Sequence, residues 1–188
     1  MTEKEMSTGS VSLDKERLLK YKIYSSALAY PGENFFSYFP GLKDERGKVI
    51  EEYDKLFRKS DIWLYTLEYT AKGEFQKMNC LSDIMGFYKA FGLEPHEDRP
   101  DSLSIEFEFM HFLIFKRIYA LENKLEDFRE KASMCASTQS KFFNEYLYPG
   151  AKAVAEKVIA VENDGIYFEV ASQMLGFLAD EKRLLKNF

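Results

Sequence analysis

Apolar residues recur at helical spacing along most of this chain, and the pattern breaks where glycine and proline cluster. Ser12 can cap a helix running to about Tyr30, which Pro31 and Gly32 end. Asp44 to Phe57 carries Val49, Tyr53 and Leu56 on one helical stripe, and Ser60 with Asp61 can start a helix through Trp63 and Leu67 to about Tyr69. Ser82 is placed to cap a short helix that stops at Gly92. Pro149 suits the first turn of a helix through Val161, and Asn163 or Asp164 can cap a last helix through Phe168, Met174 and Leu178.

Between Asp101 and Tyr148 there is neither glycine nor proline, which argues for a long helical hairpin rather than strands and tight turns. One local conflict lies inside it. Leu103, Ile105, Phe107 and Phe109 alternate with Ser104, Glu106 and Glu108, the period of a half-buried strand. The alternation then dissolves into Met110, Phe112, Leu113, Ile114, Phe115, Ile118 and Leu121 with no turn signal between. Asp101 and Ser102 are good N-cap residues and Pro100 favours an extended approach, so the segment reads as a helix. Apolar on most of its circumference, it is expected at the centre of the fold. The expected fold is all-α, a single compact helical domain over residues 11–188 with a long central hairpin, preceded by a polar, disordered tail over 1–10.

Composition narrows the function. The chain has 188 residues, 46% hydrophobic, 16% aromatic and 30% charged, enough apolar material for one continuous core. A net charge of −5, without any block of Lys and Arg, argues against nucleic acid and suits a basic peptide better. No stretch is apolar and long enough to span a bilayer, no signal-peptide pattern opens the chain, and Cys80 and Cys135 form no C-x-x-C pair. A cytoplasmic protein with reduced thiols is the expectation.

Catalytic patterns are scarce. The two histidines, His96 and His111, belong to no serine or cysteine nucleophile signature, and there is no glycine-rich phosphate loop. Glu108 and His111 make a single Glu-x-x-His unit on a helix, the element that di-iron bundles use twice. With one copy, no metal, no cofactor and no catalytic residue are expected; a metal-dependent oxidase built on Glu108 and His111 is the enzymatic alternative. The stronger feature is electrostatic. Glu94, Glu97, Asp98, Asp101, Glu106 and Glu108 are offset only by Arg99, and the apolar strip Phe87, Tyr88, Phe91 and Leu93 lies beside them. They read either as a solvated acidic loop beside core aromatics or as a groove for a peptide with a basic end and an apolar body.

Two segments carry a resemblance. Leu81-Ser82-Asp83-Ile84-Met85-Gly86-Phe87-Tyr88-Lys89-Ala90-Phe91-Gly92-Leu93 and Arg99-Pro100-Asp101-Ser102-Leu103-Ser104-Ile105-Glu106-Phe107-Glu108-Phe109-Met110 resemble the TorD/DmsD/NarJ family of redox-enzyme maturation chaperones, whose members typically carry FY-x-x-FGL and then PDH-L-x-x-E-L-E-F-M. The flavour is closest to the subgroup serving ethylbenzene, chlorate or selenate-type molybdoenzymes. The resemblance covers roughly residues 65–147, extending through Cys135, Gln139 and Phe142-Phe143. It implies a cytoplasmic, non-enzymatic chaperone; a helical hairpin with a hinge suits a monomer or a domain-swapped dimer. Its partner would be the twin-arginine leader or the apo form of a molybdopterin oxidoreductase subunit, held before assembly or export; an assembly factor for a folded subunit is a variant of this. The implied peptide site comprises Tyr88, Phe91, Glu97, Asp98, Asp101, Glu106 and Glu108, with Asp101 at the position of the family's functional aspartate. Asp101 can equally serve as the N-cap of the central helix. Two family histidines are missing, replaced by Ser102 and lost from Phe142-Phe143-Asn144-Glu145-Tyr146-Leu147.

Overall fold

The computed structural model describes residues 3–94, 98–124 and 126–187, and among these there is no strand, only an isolated bridge between Tyr65 and Ser102. In chain order the helices are α1 (Glu3–Leu28), α2 (Glu33–Tyr38), α3 (Arg46–Tyr53), α4 (Leu67–Thr70), α5 (Glu74–Ala90), α6 (Leu103–Asn123), α7 (Phe128–Phe142), α8 (Tyr148–Val161) and α9 (Ile166–Leu184). The ambiguous segment at Leu103 to Phe109 is helical, and the breaker-free run folds as the α6–α7 hairpin. Its turn needs left-handed backbone, which Lys124 (φ 49°) and Asp127 (φ 57°) supply in place of glycine.

α6 lies between α1 and α7 and buries Leu103, Phe107, Phe109, Met110, Leu113, Ile114 and Ile118. α1 runs antiparallel to it: Asp14 pairs with Arg117 near one end, and Lys22 with Glu108 toward the other. Rings from three helices meet in the core, with Tyr21 5.9 Å from Phe107 and 5.0 Å from Phe177. Such tilted and edge-on ring pairs add to plain area burial.

Several boundaries differ from the sequence reading, each for a local reason. α1 already begins at Glu3, ahead of the expected cap at Ser12. Residues 60–66 are not helical. Ser60 accepts the Ile62 amide at 3.2 Å, the Thr66 amide turns to the Asp101 carbonyl, and the Leu64 carbonyl accepts the Leu103 amide. Only Leu67–Thr70 closes into a helix there. α5 starts at Glu74, leaving Ser82 in its interior. The cap of α9 is neither Asn163 nor Asp164. Glu52 reaches over from α3 and accepts the amides of Ile166 (3.3 Å) and Tyr167 (2.8 Å), a carboxylate on the positive end of a helix. Gly165, at φ 95°, permits this approach, since a Cβ there would stand 2.7 Å from Glu52 Oε1.

α7 and α8 are joined without a loop by a π-helical turn over Phe143–Leu147. Pro149, the second residue of α8, has no amide to donate to the carbonyl four residues back, so the ladder is reset there. The turn brings Gly150 against Thr66, where the two backbones approach closely.

A buried polar network locks α1 to α7 and α9. Arg17, 3% exposed, donates from Nε and Nη2 to the two oxygens of Glu181 at 2.8 Å each. Its remaining contacts are Asp14 Oδ1 at 2.8 Å and Gln139 Oε1 at 3.0 Å, and Tyr21 donates to Glu181 at 2.8 Å. Burial alone would lower the Arg17 guanidinium, but the hydrogen bonds and charge of Glu181 leave it raised.

Candidate peptide-binding groove

A cleft of about 1080 Å³ opens between the α1–α2 wall and the α5–α6 wall. Its far wall is set by how α5 ends. Gly92 takes φ 72°, its amide bonds to Lys89 and the Leu93 amide to Tyr88, both at 3.0 Å, which is the glycine-terminated helix end that turns the next side chain back onto the helix. Leu93 and Tyr88 thereby line the cleft together. α6 contributes Ser104, Ile105, Glu108, Phe109 and Phe112, a spacing that keeps all five on one helical face. The near wall is the second half of α1 with Phe35 and Tyr38 of α2. The floor is held stiff by ring packing: Phe109 stands 4.8 Å from Tyr88 and 4.8 Å from Phe142, and Phe91 props Phe112 at 6.4 Å.

Charges sit at the lips. Glu33, Glu94 and Glu108 line the cleft, with Lys22 as the one Lys or Arg among the described lining residues. Glu33 is tied outward to Arg46 at 2.7 Å. Glu108 accepts both contacts of Lys22, at 2.9 and 2.8 Å, and the Ser25 hydroxyl at 2.9 Å. The Lys22 ammonium also lies 5.3 Å from the Tyr38 ring centroid. Burial works against the Lys22 charge, but Glu108 raises its pKa.

The residues singled out from sequence divide into three groups. Tyr88 and Glu108 line the cleft, and Phe91 supports it from behind. Asp98 is exposed outside it, accepting the Tyr65 hydroxyl at 3.0 Å and the Arg99 amide at 2.7 Å. Asp101 and Glu106 are fully buried, at 0% exposure each, and Glu97 lies outside the described residues. The acidic segment is therefore not a continuous rim. Its single arginine sits at the centre: Arg99 grips Asp101 at 3.0 and 2.8 Å, pairs with Glu68 at 2.8 Å and covers the Tyr65 ring at 4.3 Å. Nor does Asp101 cap the central helix, where Ser102 holds the N-cap position without a side-chain bond to a helix amide. Its Oδ2 instead accepts the Leu67 amide at 3.4 Å, at the start of α4.

Behind the groove, Asp101, Glu106 and Thr66 form a buried knot. The Thr66 amide donates to the Asp101 carbonyl at 3.0 Å, its hydroxyl to Glu106 Oε1 at 2.9 Å, and Glu106 Oε2 has no hydrogen-bond partner among the described residues. Burial pushes the Glu106 carboxyl well above the usual carboxylate range, the Thr66 hydroxyl opposes this, and the Asp101 charge adds to it. A carboxyl raised in the folded state contributes stability that is fully present below its ordinary value near 4.5 and declines as pH rises toward the folded value. Glu106→Gln, which keeps the shape without the charge, is expected to remove up to about 1.4 kcal/mol per pH unit of this decline. Urea midpoints of both proteins at about pH 5 and about pH 8 measure it. Parallel pH profiles would mean that Glu106 is ionised in the fold.

Half of the groove was missed in the sequence: Lys22, Ser25, Phe35 and Tyr38 stand far from the acidic segment in the chain. The aromatics between Pro31-Gly32 and Pro40-Gly41 were a usable signal, but nothing local says that they face α6. The pair considered for metal binding is engaged otherwise, with Glu108 on Lys22 and Ser25, and His111 Nδ1 2.9 Å from the Leu18 carbonyl. Among the described residues no group of three or more His, Cys, Asp or Glu side chains converges as a metal site. No helix among them is long and apolar enough to cross a membrane.

Neither the curated proteins nor the solved structures contain a match to this chain. A family model does match, that of the nitrate reductase delta subunit, over residues 31–155. That span holds α2, the far wall of the groove, the buried knot and the π-helical turn. The match takes in most of the chain, and the protein belongs to the nitrate reductase delta subunit family, the NarJ/TorD type of chaperone for molybdoenzyme maturation.

Proposed function

We propose that the groove binds the N-terminal leader of a molybdopterin oxidoreductase subunit, of the twin-arginine kind, and holds the apo subunit in the cytoplasm until it is ready for assembly or export. The observation that carries this reading is the division of the cleft into an apolar floor and carboxylate lips. Tyr88, Leu93, Ile105, Phe109 and Phe112 suit the apolar body of such a leader, and Glu94 and Glu108 suit its basic start. No chemistry is required of the site, only differential affinity for the unfolded or apo client.

Calorimetric titration of the candidate client's leader tests the assignment. Phe112→Ala, which removes a half-buried ring from the floor, is expected to weaken binding about tenfold, the loss common for an aromatic anchor. Glu108→Gln should weaken it less, by about two- to fivefold, and only at low salt, because a half-exposed charge is screened. Asp101→Asn should leave affinity unaltered, since that carboxylate is buried away from the cleft. Unchanged affinity in both groove variants, with circular dichroism still helical, would place the leader elsewhere.

A further inference from the structure

Among the described charged residues of the groove, Lys22 and Glu108 join one wall to the other. Lys22 belongs to α1, yet its ammonium rests on both oxygens of Glu108 on α6 and beside the ring of Tyr38 on α2. Carboxylate, hydroxyl and aromatic face are the surroundings that a bound cation would seek. Ser25 completes them at 2.9 Å from Glu108 Oε2. The pair is accessible, with Lys22 28% and Glu108 44% exposed in their side chains, so water can replace either partner. Glu33 differs, because its partner Arg46 is held outside by packing on the Phe36 ring at 5.0 Å.

We infer that Lys22 is an internal placeholder, an ammonium occupying the cation position of the groove that an arginine of the bound peptide takes over. The inference rests on the peptide-binding reading of the groove and adds how the groove discriminates among peptides. An ammonium makes point contacts, whereas a guanidinium presents a planar fork that fits both carboxylate oxygens and stacks on an aromatic face. An incoming arginine therefore gains more at Glu108 and Tyr38 than Lys22 loses. An incoming lysine only exchanges like for like, and a neutral side chain leaves Lys22 in place. Lys22 thus raises the threshold for binding and makes the groove selective for arginine.

The test uses the full chain and three synthetic leader peptides identical except at the paired basic position, carrying Arg-Arg, Lys-Lys or Gln-Gln. Lys22→Met keeps the apolar stem and removes the ammonium. It is expected to tighten the Arg-Arg peptide about three- to tenfold and the Lys-Lys peptide at least as much, narrowing the preference between them, with no change for Gln-Gln. Lys20→Met alters net charge equally on an exposed part of the same helix, away from the groove lining, and should leave all three affinities unaltered. If Lys22→Met leaves the Arg-Arg affinity unchanged or weaker while wild type binds that peptide, the placeholder is overturned and the groove stands. Equal tightening by Lys20→Met would reduce the effect to general charge and likewise overturn it. Binding of no peptide by wild type and Lys22→Met alike would overturn the groove reading and the placeholder with it.

Discussion

Arg17→Ala is expected to be among the most damaging single substitutions in this protein, lowering folding stability by about 3–5 kcal/mol. The guanidinium is almost entirely enclosed and answers two carboxylates, Glu181 and Asp14, that are 3% and 2% exposed. Taking it away leaves Glu181 with the Tyr21 hydroxyl and Asp14 with Arg117, and removes the fork that joins α1 to α9. A buried charge without its partner is the state that the interior tolerates least. Glu181→Ala should be similarly harmful. The double variant Arg17→Met with Glu181→Leu should recover much of the loss, because apolar side chains of similar volume avoid the desolvation that the ion pair must offset. Urea denaturation of the three variants provides the check. Single variants within about 1 kcal/mol of wild type would mean that the network is hydrated rather than sealed.

Gly150→Ala should lose about 1–3 kcal/mol or more, although alanine is ordinarily the better helix former. Gly150 is buried inside α8, and a Cβ there would stand 2.7 Å from the Thr66 Cα. The obstruction is Thr66 itself, its Cβ and Cγ2 ahead of its Cα, in a segment fixed by the Thr66 amide on the Asp101 carbonyl and the Leu103 amide on the Leu64 carbonyl at 2.9 Å. It cannot yield without pulling the Thr66 hydroxyl from Glu106. The same change at Gly176 on α9, where a Cβ meets nothing within 4 Å, should be neutral or stabilising by up to about 1 kcal/mol. Thermal midpoints of the two variants give the comparison directly, and equal midpoints would show that α8 can withdraw from Thr66 at little expense.

Most of the helices, and the central place of the segment from Leu103, were legible without coordinates. These follow from local propensity and from the apolar fraction of each face, which are properties of neighbouring residues. The family, too, was legible, since the Phe87-Tyr88 and Asp101 to Met110 blocks are contiguous in the chain. The failures concern groups whose partners are remote. Residues 60–69 carry helical spacing, yet 60–66 are not helical, and Leu64 and Thr66 bond across to residues 101–103. Asn163 and Asp164 were sound caps by type, yet Glu52 from α3 holds the amides of α9.

The acidic segment teaches the same distinction at the site. Its sequence fixes six carboxylates within a short stretch but not their exposure. Burial of Asp101 and Glu106 and the grip of Arg99 leave Glu94 and Glu108 as the carboxylates it offers to the groove among the described residues. By itself the sequence determined an all-helical chain with an apolar central helix and a family. Tertiary structure alone decided which carboxylates meet solvent, which lysine answers Glu108, and that α1 and α2 close the groove. Charge is a property of a residue, whereas desolvation and pairing depend on what the fold brings within a few ångströms of it.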